Sequence, residues 1–213
     1  MRTIITLAAL LLFALPVSAN ISSPAPKSTP MEITPFIGYR FGGDFQTYPT
    51  LEQPAKNIKL TENTSYGVLL AWPYAAHQQG ELLISHYDTE FSINTSGMSD
   101  SELDNTGISV TYAHIGGNVP VSEAVWVSGG LGLSHLSPKA DELNSETRFS
   151  MNIGLNTKVD ITKRISFRVG GRVYGTFFNS DSAAFCGASA CKLYISSKVW
   201  VQTELDAGLT FKF

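Results

Sequence analysis

At 213 residues and a formal net charge of −3, the chain has the length of one domain and lacks the basic stretch that nucleic acid would demand. Only 15% of its residues are charged, against about a quarter in an ordinary soluble domain, while 43% are hydrophobic and 18 are glycine. That balance excludes a highly charged or low-hydrophobicity disordered chain and leaves little charge to cover a water-facing surface.

The N-terminus reads as a secretory signal spanning residues 1–19. Arg2 supplies the positive start, Ile4 to Leu15 the apolar core and Val17-Ser18-Ala19 a small-residue cleavage site, which makes Asn20 the expected first mature residue. No cysteine follows the cleavage site, so nothing there directs lipid attachment. No later stretch approaches the 18 or so uninterrupted apolar residues of a membrane helix, so a membrane role for the mature chain requires a barrel. Residues 20–31, rich in Pro and Ser, read as a disordered periplasmic leader.

Eight segments with a period of two follow over residues 32–213. In Glu32 to Gly43, Ile33, Pro35, Ile37, Tyr39 and Phe41 oppose Glu32, Thr34, Gly38 and Arg40. From Thr64 to Pro73 the apolar row is Tyr66, Val68, Leu70 and Trp72. Gly80 to Ile93 places Leu83, Tyr87, Phe91 and Ile93 against His86, Asp88 and Glu90; its first half is apolar on both faces, so its register is the least defined. Asp104 to Gly116 sets Ile108, Val110, Tyr112 and His114 against Ser109, Thr111 and Ala113.

Glu123 to Leu136 sends Val125, Val127, Leu131 and Leu133 outward and Ser128, Gly130, Gly132 and Ser134 inward. Glu146 to Asp160 sets Phe149, Met151, Ile153, Leu155 and Val159 against Ser150, Asn152, Asn156 and Lys158. Arg164 to Asn179 sets Ile165, Phe167, Val169, Val173 and Phe177 against Arg164, Ser166, Arg168, Arg172 and Tyr174. The last stretch, Lys198 to Phe213, alternates Val199, Val201, Leu205, Leu209, Phe211 and Phe213 with Lys198, Trp200, Gln202, Glu204, Asp206 and Lys212. It exceeds the usual globular strand of about five or six residues and suits a membrane strand of about nine to eleven.

The connections alternate. Residues 44–63, 94–103, 137–145 and 180–197 are long or medium, whereas 74–79, 118–122 and 161–163 are short. Short turns at one end and longer loops at the other are the rhythm of an outer-membrane barrel with both termini periplasmic. A soluble sandwich or lipocalin-like barrel is the competing reading of the pattern. Altogether the expectation is all-β: an eight-stranded antiparallel up-and-down transmembrane β-barrel, monomeric, in the cell outer membrane.

The chain resembles the small eight-stranded outer-membrane β-barrels of Gram-negative bacteria, of the OmpX and OmpA-transmembrane-domain type. The likeness is carried by ITPFIGYRFGG (Ile33 to Gly43), by GLGLSHL in the fifth segment and by the closing LTFKF. It implies outer-membrane lipids and lipopolysaccharide as surroundings, and recognition of the terminal Phe213 by the barrel-assembly machinery. The family's functions are mixed: surface and structural proteins, narrow channels, and lipid-modifying enzymes.

Four features carry the candidate chemistry. The first is a lumenal charge network of Arg40, Glu90, Lys158, Arg168, Arg172, Lys198, Glu204 and Asp206. An eight-stranded interior is just wide enough for side chains to fill, so these charges either pair into a plug or line a narrow ion path. The second is His135-Leu136-Ser137 with Glu142 and Glu146 nearby. It resembles the H-x-S of lipid A deacylases of the same architecture but departs from it in Pro138 and in its distance from the C-terminal third; a structural role is the alternative.

The third is Cys186 and Cys191, a disulfide permitted by export, with a metal pair as the rival. The fourth is the loop set, made acidic by Asp100, Glu102, Asp104, Asp141 and Glu142. Tyr66, Tyr87, Phe91, Phe149 and Phe177 read as an outer aromatic girdle, and Trp72, Phe167, Phe211 and Phe213 as an inner one. His86 is expected toward the lumen, His114 toward the lipid or its interface, and His77 in a turn. No cofactor or metal is indicated. The expected function is a non-enzymatic structural or surface-interaction role through the extracellular loops, with a narrow channel as the alternative and an outer-leaflet lipid A hydrolase as the third reading.

Overall fold

Side chains that alternate in and out over eight long segments give a sheet two unlike faces, and the ring hides the inner one. The computed structural model describes residues 30–43, 45–46, 57–75, 77–93, 107–139, 144–178, 183–186, 191–194 and 199–213. The strands are β1 (Glu32–Gly42), β2 (Phe45–Gln46), β3 (Asn57–Leu60), β4 (Asn63–Ala75), β5 (Gln78–Ile93), β6 (Gly107–Pro120), β7 (Val125–Pro138), β8 (Glu146–Asp160), β9 (Ile165–Phe177), β10 (Ala183–Cys186), β11 (Cys191–Tyr194) and β12 (Val199–Lys212). The proposed signal, most of the leader, Lys198 and the five acidic loop residues fall outside the described residues.

Eight of the strands, β1, β4, β5, β6, β7, β8, β9 and β12, form a closed antiparallel ring in sequence order. The first and last strands join, with Arg40 opposite Glu204 and Tyr39 opposite Leu205. The β5–β6 ladder completes the circuit. Closure pairs every backbone edge, which a bilayer requires. The four short strands lie in two of the long connections: β2 and β3 extend the sheet from β5, and β10 pairs with β11. That last ladder sets Cys186 opposite Cys191.

The outward row carries an apolar belt around the wall. Ile37, Leu131, Ile153, Leu155 and Leu205 are all more than half exposed. A soluble monomer rarely bares a contiguous apolar patch beyond a few hundred Å²; a bilayer is what such a wall fits. The barrel is therefore a transmembrane one. Two of the short turns, Ile161–Arg164 and Val121–Ala124, share one design. In the first, Ile165 O accepts from the Ile161 and Thr162 amides at 2.9 Å each. In the second, Val125 O accepts from the Val121 and Ser122 amides at 2.9 and 3.2 Å. The third short turn carries His77 at a φ of 64°, in the left-handed region.

Two strands correct the expected registers. In β5 the inward row is Gln79, Glu81, Leu83, Ser85, Tyr87 and Thr89, all buried, while Glu90 is exposed. Glu90 is thus not part of the lumenal network, His86 points outward, and Tyr87 belongs to the interior rather than to a girdle. In β6 the inward row is Ile108, Val110, Tyr112 and His114, so His114 faces the lumen and not the lipid.

The physical reason is strand length. β5 has 16 residues, against about nine to eleven needed to cross a bilayer. Its upper outward positions therefore stand clear of the hydrocarbon, where charge is tolerated. The upper lumen, by contrast, is filled by apolar and aromatic groups.

Candidate functional site

The lumen is built in layers, each fixed by the ladder that brings its residues level. The uppermost is mainly apolar: Trp200, Phe178, Leu136, Ile108, Val110 and Leu60 belong to one buried cluster, with Phe178 and Trp200 edge to face at 6.4 Å, and the part-buried Arg148, paired with Glu146, lies 5.5 Å from the Phe178 ring centre. Directly beneath, Arg40 and Glu204 form an ion pair in which neither side chain has any exposure. Glu204 also accepts from Ser65 Oγ at 2.7 Å and from Tyr174 OH at 2.6 Å. Arg40 donates to Ser85 Oγ at 2.6 Å. Its guanidinium carbon sits 4.4 Å from the Tyr174 ring centre and 4.8 Å from those of Tyr87 and Tyr112. Three aromatic faces around one cation favour it in a dry setting.

Gln202 ties this cage together. It accepts from Tyr112 OH at 2.8 Å and donates to Tyr87 OH. The layer depends on Gly38, where a Cβ would lie 2.6 Å from Ser65 Oγ and 2.9 Å from Glu204 Oε1. A larger residue at position 38 would intrude on the carboxylate.

The next layer centres on Arg172, which donates to Glu81 at 2.7 Å and to Asn152 Oδ1 at 3.1 Å. Asn152 donates in turn to His114 Nδ1 at 2.8 Å, which leaves His114 Nε2 to donate to Ser150 Oγ at 2.7 Å. Below, Arg168 meets Asp206 at 2.8 Å. At the mouth near the short turns Lys158 meets Glu32 at 2.5 Å, reaches Gln79 at 3.2 Å and lies over the Trp126 ring.

Four cations, Arg40, Lys158, Arg168 and Arg172, thus face four carboxylates, Glu204, Glu32, Asp206 and Glu81, in one-to-one pairs. Charges drawn from distant parts of the chain neutralise each other, as burial in a low-dielectric interior demands. Of the eight residues expected to form this network, six are brought into the lumen, Glu90 is not, and Lys198 is outside the described residues. The pairing carboxylates Glu32 and Glu81 and the Tyr87–Tyr112–Tyr174 cage are not in the expected network. The available signal for Glu81 was its place two residues from Gln79 on one row of β5.

His135 and Ser137 do not assemble a catalytic group among the described residues. His135 is exposed on the outer wall, with Nδ1 2.9 Å from Thr147 Oγ1. The Glu146 carboxylate is held by Arg148 at 2.6 and 3.0 Å. Glu142 lies outside the described residues. His86 makes a similar outer-wall contact, with Nδ1 2.7 Å from Thr111 Oγ1. No group of three or more potential metal ligands occurs among the described residues.

No protein-family model matches the sequence, and no curated protein matches it. Solved structures do. The outer membrane protein OprG from Pseudomonas aeruginosa superposes with a TM-score of 0.56 at 14% identity, over 87% of this chain and 97% of that one. Neisserial surface protein A superposes with a TM-score of 0.53 at 10% identity, over 86% and 97%. With closure, eight strands and an apolar outer wall already established, these likenesses agree at the level of architecture: the chain has the fold of the small eight-stranded outer-membrane β-barrel proteins.

Proposed function

We propose that this protein is a sealed, non-conducting barrel of the bacterial outer membrane whose job is done at its surface. On this reading the short turns and both chain ends face the periplasm, and the long connections form the contact surface. One observation carries the reading: every lumenal charge among the described residues has its opposite partner, and an apolar cluster lies over all of these pairs but Arg148–Glu146, which is set against the cluster itself. An ion entering this interior would have to displace a paired charge and cross a dewetted constriction. The proposed Cys186–Cys191 disulfide, on residues that face each other in the β10–β11 ladder, would stiffen one of those outer connections.

The test has two parts. Folded protein in planar bilayers is expected to give no discrete conductance steps, and replacement of residues 183–194 by a short Gly-Ser linker is expected to abolish surface contacts without unfolding the barrel. Steps in the first experiment would overturn the sealed reading. Unchanged contacts in the second would remove that connection from the contact surface. Maleimide labelling of the unreduced protein would refute the disulfide.

A narrow water or ion path is the second reading, favoured by one observation. In the lower lumen Gln79 Nε2, Ser128 Oγ, Asn156 Oδ1, Arg172 Nε and Asp206 Oδ2 are buried without a hydrogen-bond partner among the described residues. Such groups are ordinarily satisfied by internal water. The apolar upper layer is what a path through them would have to open.

A further inference from the structure

The two turns of shared design differ in one respect that their folding does not explain. In Val121–Ala124, Ser122 Oγ accepts from the Ala124 and Val125 amides at 3.4 and 3.1 Å. In Ile161–Arg164, Thr162 Oγ1 accepts from the Arg164 and Ile165 amides at 3.2 and 3.0 Å. The backbone solution is the same, yet the middle of one turn reads Glu123-Ala124 and the other Lys163-Arg164. The turn therefore does not require the basic pair.

That pair borders a hollow of about 630 Å³ at the barrel rim, lined also by Lys212 and by the apolar Pro30, Ile165, Phe211 and Phe213. The backbone beneath is tied down: Arg164 O accepts from Lys212 N at 2.8 Å, and Met31 O accepts from Phe213 N at 2.9 Å. The acids close by are Asp160 and Glu32, the latter opposite Lys212 in the β1–β12 ladder and held by Lys158 at 2.5 Å. Asp160 already holds Lys212 at 2.6 Å and Ser166 at 2.6 Å. Among the described residues neither Lys163 nor Arg164 makes an ion pair. Above the hollow Phe211, Leu209 and Phe167 continue up the lipid-facing wall, all exposed. Cations at the membrane boundary with an apolar track leading from them into the bilayer match a phosphate with an acyl chain attached.

We propose that this rim hollow binds an anionic phospholipid, its phosphate taken by Lys163 and Arg164 and one chain lying along Phe211 and Leu209. It rests on the transmembrane reading and, for the leaflet concerned, on the short-turn end being periplasmic. Arg164 offers a planar fork for two phosphate oxygens and Lys163 a mobile point charge.

The test is native mass spectrometry of the folded chain released from detergent with phosphatidylglycerol or phosphatidylcholine. Wild type is expected to retain one phosphatidylglycerol in preference to phosphatidylcholine. The paired substitution Lys163→Glu, Arg164→Ala, which copies the charge of the other turn, is expected to lower that retention about tenfold. Glu123→Gln serves as the control and is expected to change nothing. Where the paired variant fails the heat-modifiable gel test of folding, Lys163→Glu alone is read instead.

Equal retention in variant and wild type, or equal retention of both lipids, would overturn the site. Displacement of the lipid by millimolar inorganic phosphate would reduce it to a phosphate site. Retention in detergent depends on neither conductance nor orientation, so failure here leaves the sealed-barrel reading untouched.

Discussion

Glu204 and Lys212 lie on the same strand, yet their ion pairs live in different worlds. Glu204 and Arg40 are wholly enclosed, ringed by three tyrosines and two serines. Lys212 meets Asp160 at the rim, where the aspartate side chain is 66% exposed. The contact chemistry is the same, a cation against a carboxylate; the solvent is not. In the enclosed pair each charge has lost its water and depends on the other. At the rim water replaces a lost partner at little cost.

This contrast can be broken by deletion. The largest effect is expected from Glu204→Ala, which strands Arg40 inside the cage: a loss of about 3–5 kcal/mol, read as a shift in urea unfolding of the barrel in lipid vesicles. A loss under about 1 kcal/mol would mean that the tyrosine faces alone sustain the cation. Removing both charges together sharpens the point. Arg40→Met with Glu204→Leu is expected to recover most of that loss, since an apolar replacement of similar volume leaves no stranded charge.

Next in size is Tyr174→Phe, which deletes the 2.6 Å hydrogen bond to Glu204 but keeps the ring over Arg40. About 1.5–3 kcal/mol is expected for a bond to a charged acceptor, measured in the same titration. The smallest effect belongs to Lys212→Ala, at most about 1 kcal/mol and fading with added salt. A Lys212 effect equal to that of Glu204 would contradict the role given to burial.

The same contrast explains what could be read from the chain alone. In β12, β9 and β8 the polar row and the buried row coincide, because these strands carry charge where the lumen is charged. Arg168, Arg172, Glu204 and Asp206 were therefore legible one by one. In β5 and β6 polarity and direction part company. Leu83, Tyr87, Ile108, Val110 and Tyr112 turn inward because the upper lumen is dry, while His86, Asp88 and Glu90 turn outward because the long β5 rises beyond the lipid.

Alternation gives the period of a strand but not which row faces in when both environments change along its length. Only the ladder settles that: Ser85 opposite Tyr112, and Tyr112 opposite Ser134, are buried small-and-large neighbours on one layer. The tyrosine cage was invisible for the same reason, since its members come from β5, β6 and β9 and share no local motif.

Closure of the lumen by paired charge and an apolar cap is best tested by single-channel recording of the folded barrel in planar bilayers, beside a Trp200→Ala, Leu136→Ala variant that thins the cap. A silent wild type is expected. Discrete, reproducible steps from wild type that change with Arg172→Ala would contradict it.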